Sequence, residues 1–157
     1  MKVILITDDP DLKSFEGIVG LIRQIESLGV KTIDLVCYSQ QNVFFNCRGQ
    51  ASSQRTSISL ENILKRKKYE LIIVSLKLEN LRKLALCKKS IFVLFKKICP
   101  NSAVFVFGAK TAVVRLKQFV ESGTIRIVYR HGVTKVTREF NQAVIDYIKS
   151  TNTHSPR

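Results

Sequence analysis

Polar residues that could bind a metal ion or take part in a reaction follow two of the short apolar runs in this sequence. Thr7, Asp8 and Asp9 come directly after the run VILI, and Ser75 comes directly after the run LIIV. Carboxylates are ligands that Mg²⁺ uses together with other oxygens, so Asp8 and Asp9 could bind this ion weakly. A kinase could phosphorylate a serine hydroxyl such as that of Ser75. No general base is evident beside this residue, so we expect no catalytic role for it.

Two later apolar runs also end in residues of interest. Gly108 follows the run VFVF, and Lys110 stands two residues further on, so this turn could present N–H groups and a cation to an anion. An ordinary strand-to-helix turn is the simpler interpretation. Arg130 follows the run TIRIVY and could form an ion pair with Asp8, or could face solvent.

The apolar runs predict strands because they are short and bounded by turn residues. We predict five strands, over residues 3–6, 32–38, 71–74, 104–107 and 125–129. Apolar residues at helical spacing predict helices over residues 11–28, 58–67, 78–98, 112–120 and 136–148. Strands that alternate with helices predict a parallel sheet covered on both faces, with the polar residues above gathered at its carboxyl edge.

The composition of the strands suggests their order. The first, third and fourth strands are apolar throughout, as central strands are, whereas Asp34 in the second strand and Arg126 in the fifth are typical of edges. We predict an α/β fold, a flavodoxin-like three-layer sandwich with five parallel strands in the order 2-1-3-4-5. It forms one domain over residues 1–150, with a polar insertion near residues 40–57 that forms a strand extension or hairpin and a loop. We expect a disordered tail over residues 151–157.

The charge of the chain bears on its partners. Its 157 residues include 26 Lys and Arg against 12 Asp and Glu, a formal net charge of +14. Such an excess attracts nucleic acids and other polyanions, although a solvated basic surface explains it as well. No apolar run is long enough to span a membrane, and no secretory signal is evident, so we expect a cytoplasmic protein without membrane contact.

The four cysteines carry no metal-binding pattern. None forms a CxxC pair, and the two histidines lie far from them in sequence. We expect reduced thiols that act as small core residues, and we expect neither a metal site nor a cofactor. The four residues are Cys37, Cys47, Cys87 and Cys99.

Two segments resemble the receiver domains of bacterial response regulators. ILITDDPDL is similar to the first strand and turn of that family, and YELIIVSLKLEN is similar to its third strand and phosphorylation loop. Residues 123–130 resemble the segment that leads into its Lys-Pro pair. The resemblance covers nearly the whole chain except residues 40–57, and it implies a domain used in signal transduction or transcription regulation.

Carried over position by position, the resemblance implies a degenerate phosphorylation pocket. The acids that hold Mg²⁺ fall on Thr7 and Asp8, and the phosphoacceptor aspartate falls on Ser75. The hydroxyl that senses the phosphoryl group falls on Gly108, and the lysine falls on Arg130. The resemblance therefore predicts a pseudo-receiver that works without phosphorylation, is not an enzyme, and acts through protein contacts or dimerisation.

The resemblance also implies a dimer or partner face. It would comprise the fourth helix, the fifth strand and the fifth helix, whose charged residues are Arg115, Lys117, Arg126, Arg138, Glu139 and Asp146. Phe92 and Phe95 of the predicted helix 78–98 could face a partner as well. Two alternatives stay open: a nucleic-acid-binding protein that uses the same fold, and an enzyme acting on a nucleotide or small anion, for which no nucleophile, base and metal set is evident.

Overall fold

Strands and helices alternate along this chain as its sequence predicts. The computed structural model describes residues 1–8, 16–38, 44–46, 57–76, 79–81, 83, 90–108, 116–117, 119–130 and 134–154. Helices pack against both faces of a sheet whose central strands are parallel. The predicted α/β class is therefore confirmed.

One sheet contains the strands of the described residues. They are β1 (Lys2–Thr7), β2 (Thr32–Tyr38), β3 (Phe44–Asn46), β4 (Ser57–Ile58), β5 (Leu71–Ser75), β6 (Ala103–Gly108) and β7 (Ile127–Arg130). Their order is β4-β3-β2-β1-β5-β6-β7. The five predicted strands correspond to β1, β2, β5, β6 and β7, which pair in parallel, whereas β3 and β4 are antiparallel.

The sheet has seven strands, because β3 and β4 add to the five predicted parallel strands in the region where a strand extension or hairpin was predicted. Phe44 pairs with Tyr38 of β2 on one side and with Ile58 of β4 on the other, so β2 is not an edge strand. The rings of Tyr38 and Phe44 lie 5.1 Å apart, and this aromatic pair fixes β3 on β2. Strands of three and two residues are too short to show an apolar period in sequence.

Four helices have well-defined bounds: α1 (Glu16–Ser27), α2 (Leu60–Lys67), α3 (Ile91–Ile98) and α4 (Thr134–His154). Residues 79–81, 83, 116–117 and 119–121 are helical as well. Ser59 caps α2, because its hydroxyl oxygen accepts the N–H of Asn62 at 3.3 Å, so this helix begins two residues later than predicted. In the described part of the chain, no helix has both the length and the apolar character that a membrane span requires.

Two helix predictions were wrong in extent. The helix predicted over residues 78–98 is interrupted at Ser90, whose φ of −53° and ψ of 134° are not helical and whose hydroxyl oxygen caps α3. At the other end of the chain, α4 continues to His154, through residues predicted to be disordered. Thr151 Oγ1 donates to the carbonyl oxygen of Tyr147 at 2.9 Å, so a polar side chain is satisfied by the helix itself.

Each face of the sheet packs against its own apolar core. In β1, Ile4 and Ile6 face the core that contains α2 and α3, whereas Val3 and Leu5 face the core that contains α1 and α4. All four side chains are 0% exposed. Because successive side chains of a strand point to opposite faces, β1 is closed to water on both sides.

Phe92 and Phe95 belong to the first of these cores, so the prediction that they face a partner was wrong. Both are 0% exposed. Their rings lie 5.8 Å apart in an edge-to-face arrangement, and the ring of Phe92 lies 5.3 Å from that of Phe119. The exposed apolar residue of α3 is Val93, which lies beside Phe92 in sequence.

Phe92 and Val93 therefore offer a matched pair for measuring the core. We expect Phe92→Ala to lower the free energy of unfolding by about 3–5 kcal/mol, because it leaves a cavity among packed rings. We expect Val93→Ala to change it by less than about 0.5 kcal/mol, because that side chain is half exposed. Urea unfolding of both variants tests this, and equal losses would contradict the burial of Phe92.

The thiols differ from the expectation that all are reduced. Cys37 of β2 is disulfide-bonded, and its partner lies outside the described residues. Cys99, at the end of α3, is a free and buried thiol, and burial raises its pKa. A disulfide is more usual in an oxidising compartment than in the cytosol, so the cytoplasmic location stays a prediction.

A polar bridge joins β2 to the segment between α2 and β5. The hydroxyl of Tyr69 and the Nζ of Lys67 both donate to Oδ2 of Asp34, the latter at 2.8 Å. Burial, and then the hydrogen bond to the Asp34 carboxylate, raise the pKa of Tyr69 far above its usual value. The polar residue that suggested an edge strand thus has its own partners inside the fold.

The bridge predicts a dependence of stability on alkaline pH. Because the folded-state pKa of Tyr69 is raised, its contribution is complete below the usual tyrosine pKa of about 10 and is lost as the pH rises above it. At neutral pH we expect Tyr69→Phe to lower the free energy of unfolding by about 1.5–3 kcal/mol, the range for a hydrogen bond to a charged group. Urea unfolding should be measured from neutral pH to above the usual tyrosine pKa of about 10. The difference in unfolding free energy between Tyr69→Phe and wild type should shrink as the pH rises, and a constant difference would contradict the bridge.

Candidate functional site

The carboxyl ends of β1 and β5 bring two predicted site residues side by side. Thr7 is the register partner of Ser75 across this parallel pair, and Asp8 follows Thr7 directly. Thr7 is 0% exposed, Ser75 is 1% exposed and Asp8 is 9% exposed. The parallel register thus gathers a carboxylate and two hydroxyls at one buried edge, which is where ligands bind in sheets of this kind.

Asn80 holds the carboxylate of Asp8. Its Nδ2 donates to Oδ2 of Asp8 at 2.8 Å, and Asn80 itself is 9% exposed. A buried carboxylate needs hydrogen bonds in place of the water it has lost, and this amide supplies one. Asn80 lies among the helical residues 79–81 that follow β5, so the connection after Ser75 returns to the end of β1.

The role of Asn80 was missed by sequence reasoning. The residue ends the segment YELIIVSLKLEN that resembles the family, but its position did not indicate a contact with Asp8, which is 72 residues away. One feature of the sequence could have indicated it: Asn80 stands five residues after Ser75, the end of a predicted strand, and its amide could donate to an acid at the same edge of the sheet.

Ser75 has a buried hydroxyl without a hydrogen-bond partner among the described residues. Buried hydroxyls are usually paired, so one that is not bonded by the surrounding strands is unusual. At 1% exposure the oxygen cannot be approached from solvent in this conformation. The position can therefore neither supply a carboxylate nor present its hydroxyl freely to a kinase.

Gly108 and Arg130 lie further along the same edge. They are register partners at the ends of β6 and β7, and Ser75 pairs with Phe107, one residue before Gly108. Their backbones therefore continue the edge formed by Thr7 and Ser75. Asp9 and the side chain of Arg130 lie outside the described part of the structure, so the ion pair between Asp8 and Arg130 stays a prediction.

Within the described ranges, no cluster of three or more His, Cys, Asp or Glu side chains could hold a metal ion. Asp8 contributes a carboxylate whose Oδ2 already accepts a hydrogen bond from Asn80. A Mg²⁺ ion needs a near-octahedral set of oxygens, so weak binding at Asp8 and Asp9 stays a prediction.

Three of the six residues predicted for a dimer face have contacts within the chain. Lys117 lies 3.7 Å from the Glu121 carboxylate, and the guanidinium of Arg126 lies 5.2 Å from the centre of the Tyr147 ring. Asp146 accepts a hydrogen bond from Gln142 at 2.8 Å.

The remaining three residues predicted for that face are Arg115, Arg138 and Glu139. Arg138 and Glu139 are exposed in α4, and Arg115 lies outside the described residues. Ion pairs across a dimer stay a prediction for all of them.

Comparisons with known proteins find a likeness in structure and none in sequence family. No protein-family model matches the chain, and no curated protein matches it. A response regulator protein from Burkholderia pseudomallei, solved with a phosphorylated aspartic acid, calcium and citrate, has a TM-score of 0.46 at 15% identity over 99% of this chain and 76% of that chain. An adenylate cyclase from Rhodopirellula baltica has a TM-score of 0.45 at 14% identity over 97% of this chain and 95% of that chain. At these scores neither likeness bears on function.

The contact between Asn80 and Asp8 can be measured directly. We expect Asn80→Ala to lower the free energy of unfolding by about 1–3 kcal/mol, because it leaves a buried carboxylate oxygen without its donor. Glu79→Ala is the matched control, since that side chain is 82% exposed and should change stability by less than about 0.5 kcal/mol.

A double-mutant cycle separates this contact from general packing. If the hydrogen bond is present, the losses from Asn80→Ala and Asp8→Ala should not add, because each variant removes the same interaction. Additive losses in urea unfolding would contradict the contact.

Proposed function

We propose that this chain is a phosphorylation-independent receiver-like regulatory domain, in which a flavodoxin-like arrangement of five parallel strands supports a degenerate phosphorylation pocket. The observation that carries the proposal is Ser75, a buried hydroxyl at the end of β5 directly beside Thr7. In the family that the sequence resembles, this position carries the aspartate that accepts the phosphoryl group.

The chemistry of aspartyl phosphorylation explains why this substitution matters. The reaction needs a carboxylate nucleophile, and it needs a metal ion to screen the charge of the incoming phosphoryl group. Ser75 cannot form an acyl phosphate, and Thr7 supplies a hydroxyl where a metal-binding acid would stand. Asp8 keeps its carboxylate, but Asn80 already binds one of its oxygens.

The other pocket positions support the same proposal. Gly108 has no hydroxyl with which to sense a phosphoryl group, although its backbone lies on the same sheet edge as Ser75. Arg130 keeps a positive charge where the family has a lysine. Without a phosphorylation cycle, such a domain would act in signal transduction or transcription regulation through protein contacts or dimerisation. We propose no enzymatic activity and no cofactor for it.

A phosphotransfer assay tests the proposal. We expect no gain of a phosphoryl group when the protein is incubated with acetyl phosphate and Mg²⁺ and measured by intact-mass spectrometry. A receiver domain that retains its acceptor aspartate serves as the positive control under the same conditions.

Two results would contradict the proposal in different ways. A phosphoryl group present on wild type and absent from Ser75→Ala would identify Ser75 as an acceptor. A group retained by Ser75→Ala and removed by hydroxylamine would be an acyl phosphate, and would identify an acid such as Asp8 or Asp9 as the acceptor.

A further inference from the structure

The opposite, amino edge of the sheet concentrates exposed positive charge. Helix α2 ends at Lys67 just before β5 begins at Leu71, and α3 ends at Ile98 just before β6 begins at Ala103. The last turns of both helices therefore lie at the amino ends of the strands. We define the basic edge by six exposed residues at these helix ends and strand starts: Lys2, Lys31, Arg66, Lys68, Lys96 and Lys97.

Hydrogen bonds and shared depressions connect these elements into one surface. Lys2 Nζ donates to the carbonyl oxygen of Lys67 at 3.2 Å, which joins the start of β1 to the end of α2. Lys68 borders a depression of about 340 Å³, and Lys96 borders a second depression of about 140 Å³. Both depressions are also lined by Cys99, Pro100 and Ser102, so Lys68 and Lys96 stand on either side of the same turn.

The acids near this surface already have partners. Asp34 accepts hydrogen bonds from Lys67 and Tyr69, and Glu70 accepts one from the backbone N–H of Lys2 at 2.7 Å. By contrast, Arg66, Lys68, Lys96 and Lys97 form no ion pair with any described residue. Their charge is therefore available to a partner.

Helix capping accounts for only part of this charge. The carbonyl end of a helix carries about half a negative elementary charge, which last-turn cations offset. At the end of α2, Lys65 pairs with Glu61 and Lys67 pairs with Asp34, whereas Arg66 and Lys68 are additional cations. The end of α3 has Lys96 and Lys97. Two cations at each end exceed what the two helix dipoles require.

We propose that the basic edge binds the phosphate backbone of duplex nucleic acid without reading its sequence. Lysines contact phosphates as point charges and specify no base. A membrane surface is disfavoured, because the large apolar side chains that the described residues leave exposed are Val93 and Val120, and neither is aromatic. A protein partner at the basic edge is disfavoured because protein binding relies on aromatic or large apolar anchors, and the six residues that define this edge are all lysines or arginines.

Single-stranded nucleic acid is a poorer partner than a duplex on this surface. Its binding relies on aromatic side chains on which bases stack. Tyr147 borders the larger depression, but its ring is already covered by the guanidinium of Arg126. The basic edge lies at the end of the sheet opposite to the candidate pocket, so nucleic-acid binding there does not depend on the proposed regulatory function.

The test measures binding of a random-sequence DNA duplex by fluorescence anisotropy, over roughly 50 to 200 mM salt. We expect wild-type affinity to fall linearly with salt on logarithmic axes. Lys96→Ala/Lys97→Ala should reduce the steepness of this slope by about 2, because each lysine neutralises one phosphate. The control is Lys83→Ala/Arg23→Ala, which removes the same net charge from exposed residues outside the basic edge and should leave the slope within about 0.5 of wild type.

Three outcomes would overturn the proposal. Wild type that does not bind the duplex even at low salt has no such surface. Equal losses in the test and control variants would show that net charge alone causes the attraction. Binding to phosphatidylserine vesicles that depends on Lys96 and Lys97, with none to DNA, would assign the surface to membranes. Urea midpoints of all variants, which change exposed side chains only, would verify that each is folded.

Discussion

The fold depends on the complete burial of β1. Ile4 and Ile6 fill one core and Val3 and Leu5 fill the other, so no face of this strand is left for water. Its polar residues can therefore stand only at its ends, and Thr7 and Asp8 enter the carboxyl end still buried. A carboxylate in that position requires a donor from another element, and Asn80 supplies it. The geometry of the candidate pocket follows from the packing of the strand that leads into it.

Local sequence patterns predict much of this architecture, and the elements that they do not predict have physical causes. The strands that lie between two cores are apolar throughout, so β1, β5 and β6 could be located from sequence. β3 and β4 were predicted only as a strand extension or hairpin near residues 40–57. Their bounds and pairing were not, because strands this short are held by pairing with neighbours and by the ring contact between Tyr38 and Phe44. The interruption at Ser90 was equally invisible, since the apolar spacing continues through it and only the backbone angles reveal the cap.

The pocket was predictable to a similar, limited extent. Strand order alone brings the ends of β1 and β5 together, and it was enough to place Thr7 beside Ser75. The contact from Asn80 to Asp8 has no counterpart in any local pattern, because it joins side chains that are distant in sequence. Phe92 illustrates the opposite error. An apolar residue in a long apolar segment could face either a core or a partner, and only its packing in the folded chain, including the contact with the Phe119 ring, decides between them.

In the proposed receiver-like domain, Ser75 stands where the family that the sequence resembles has a carboxylate, and this difference changes what the pocket needs in order to fold. A second carboxylate beside Asp8 would repel it at close range in a buried site, and the repulsion would have to be relieved by a bound cation or by protonation. A neutral hydroxyl removes that requirement, and Oδ2 of the remaining carboxylate accepts a hydrogen bond from the amide of Asn80. If the chain is a receiver-like domain, its pocket can hold one conformation without a metal ion or a phosphoryl group. Regulation would then come from whatever binds the folded domain and not from chemistry inside it.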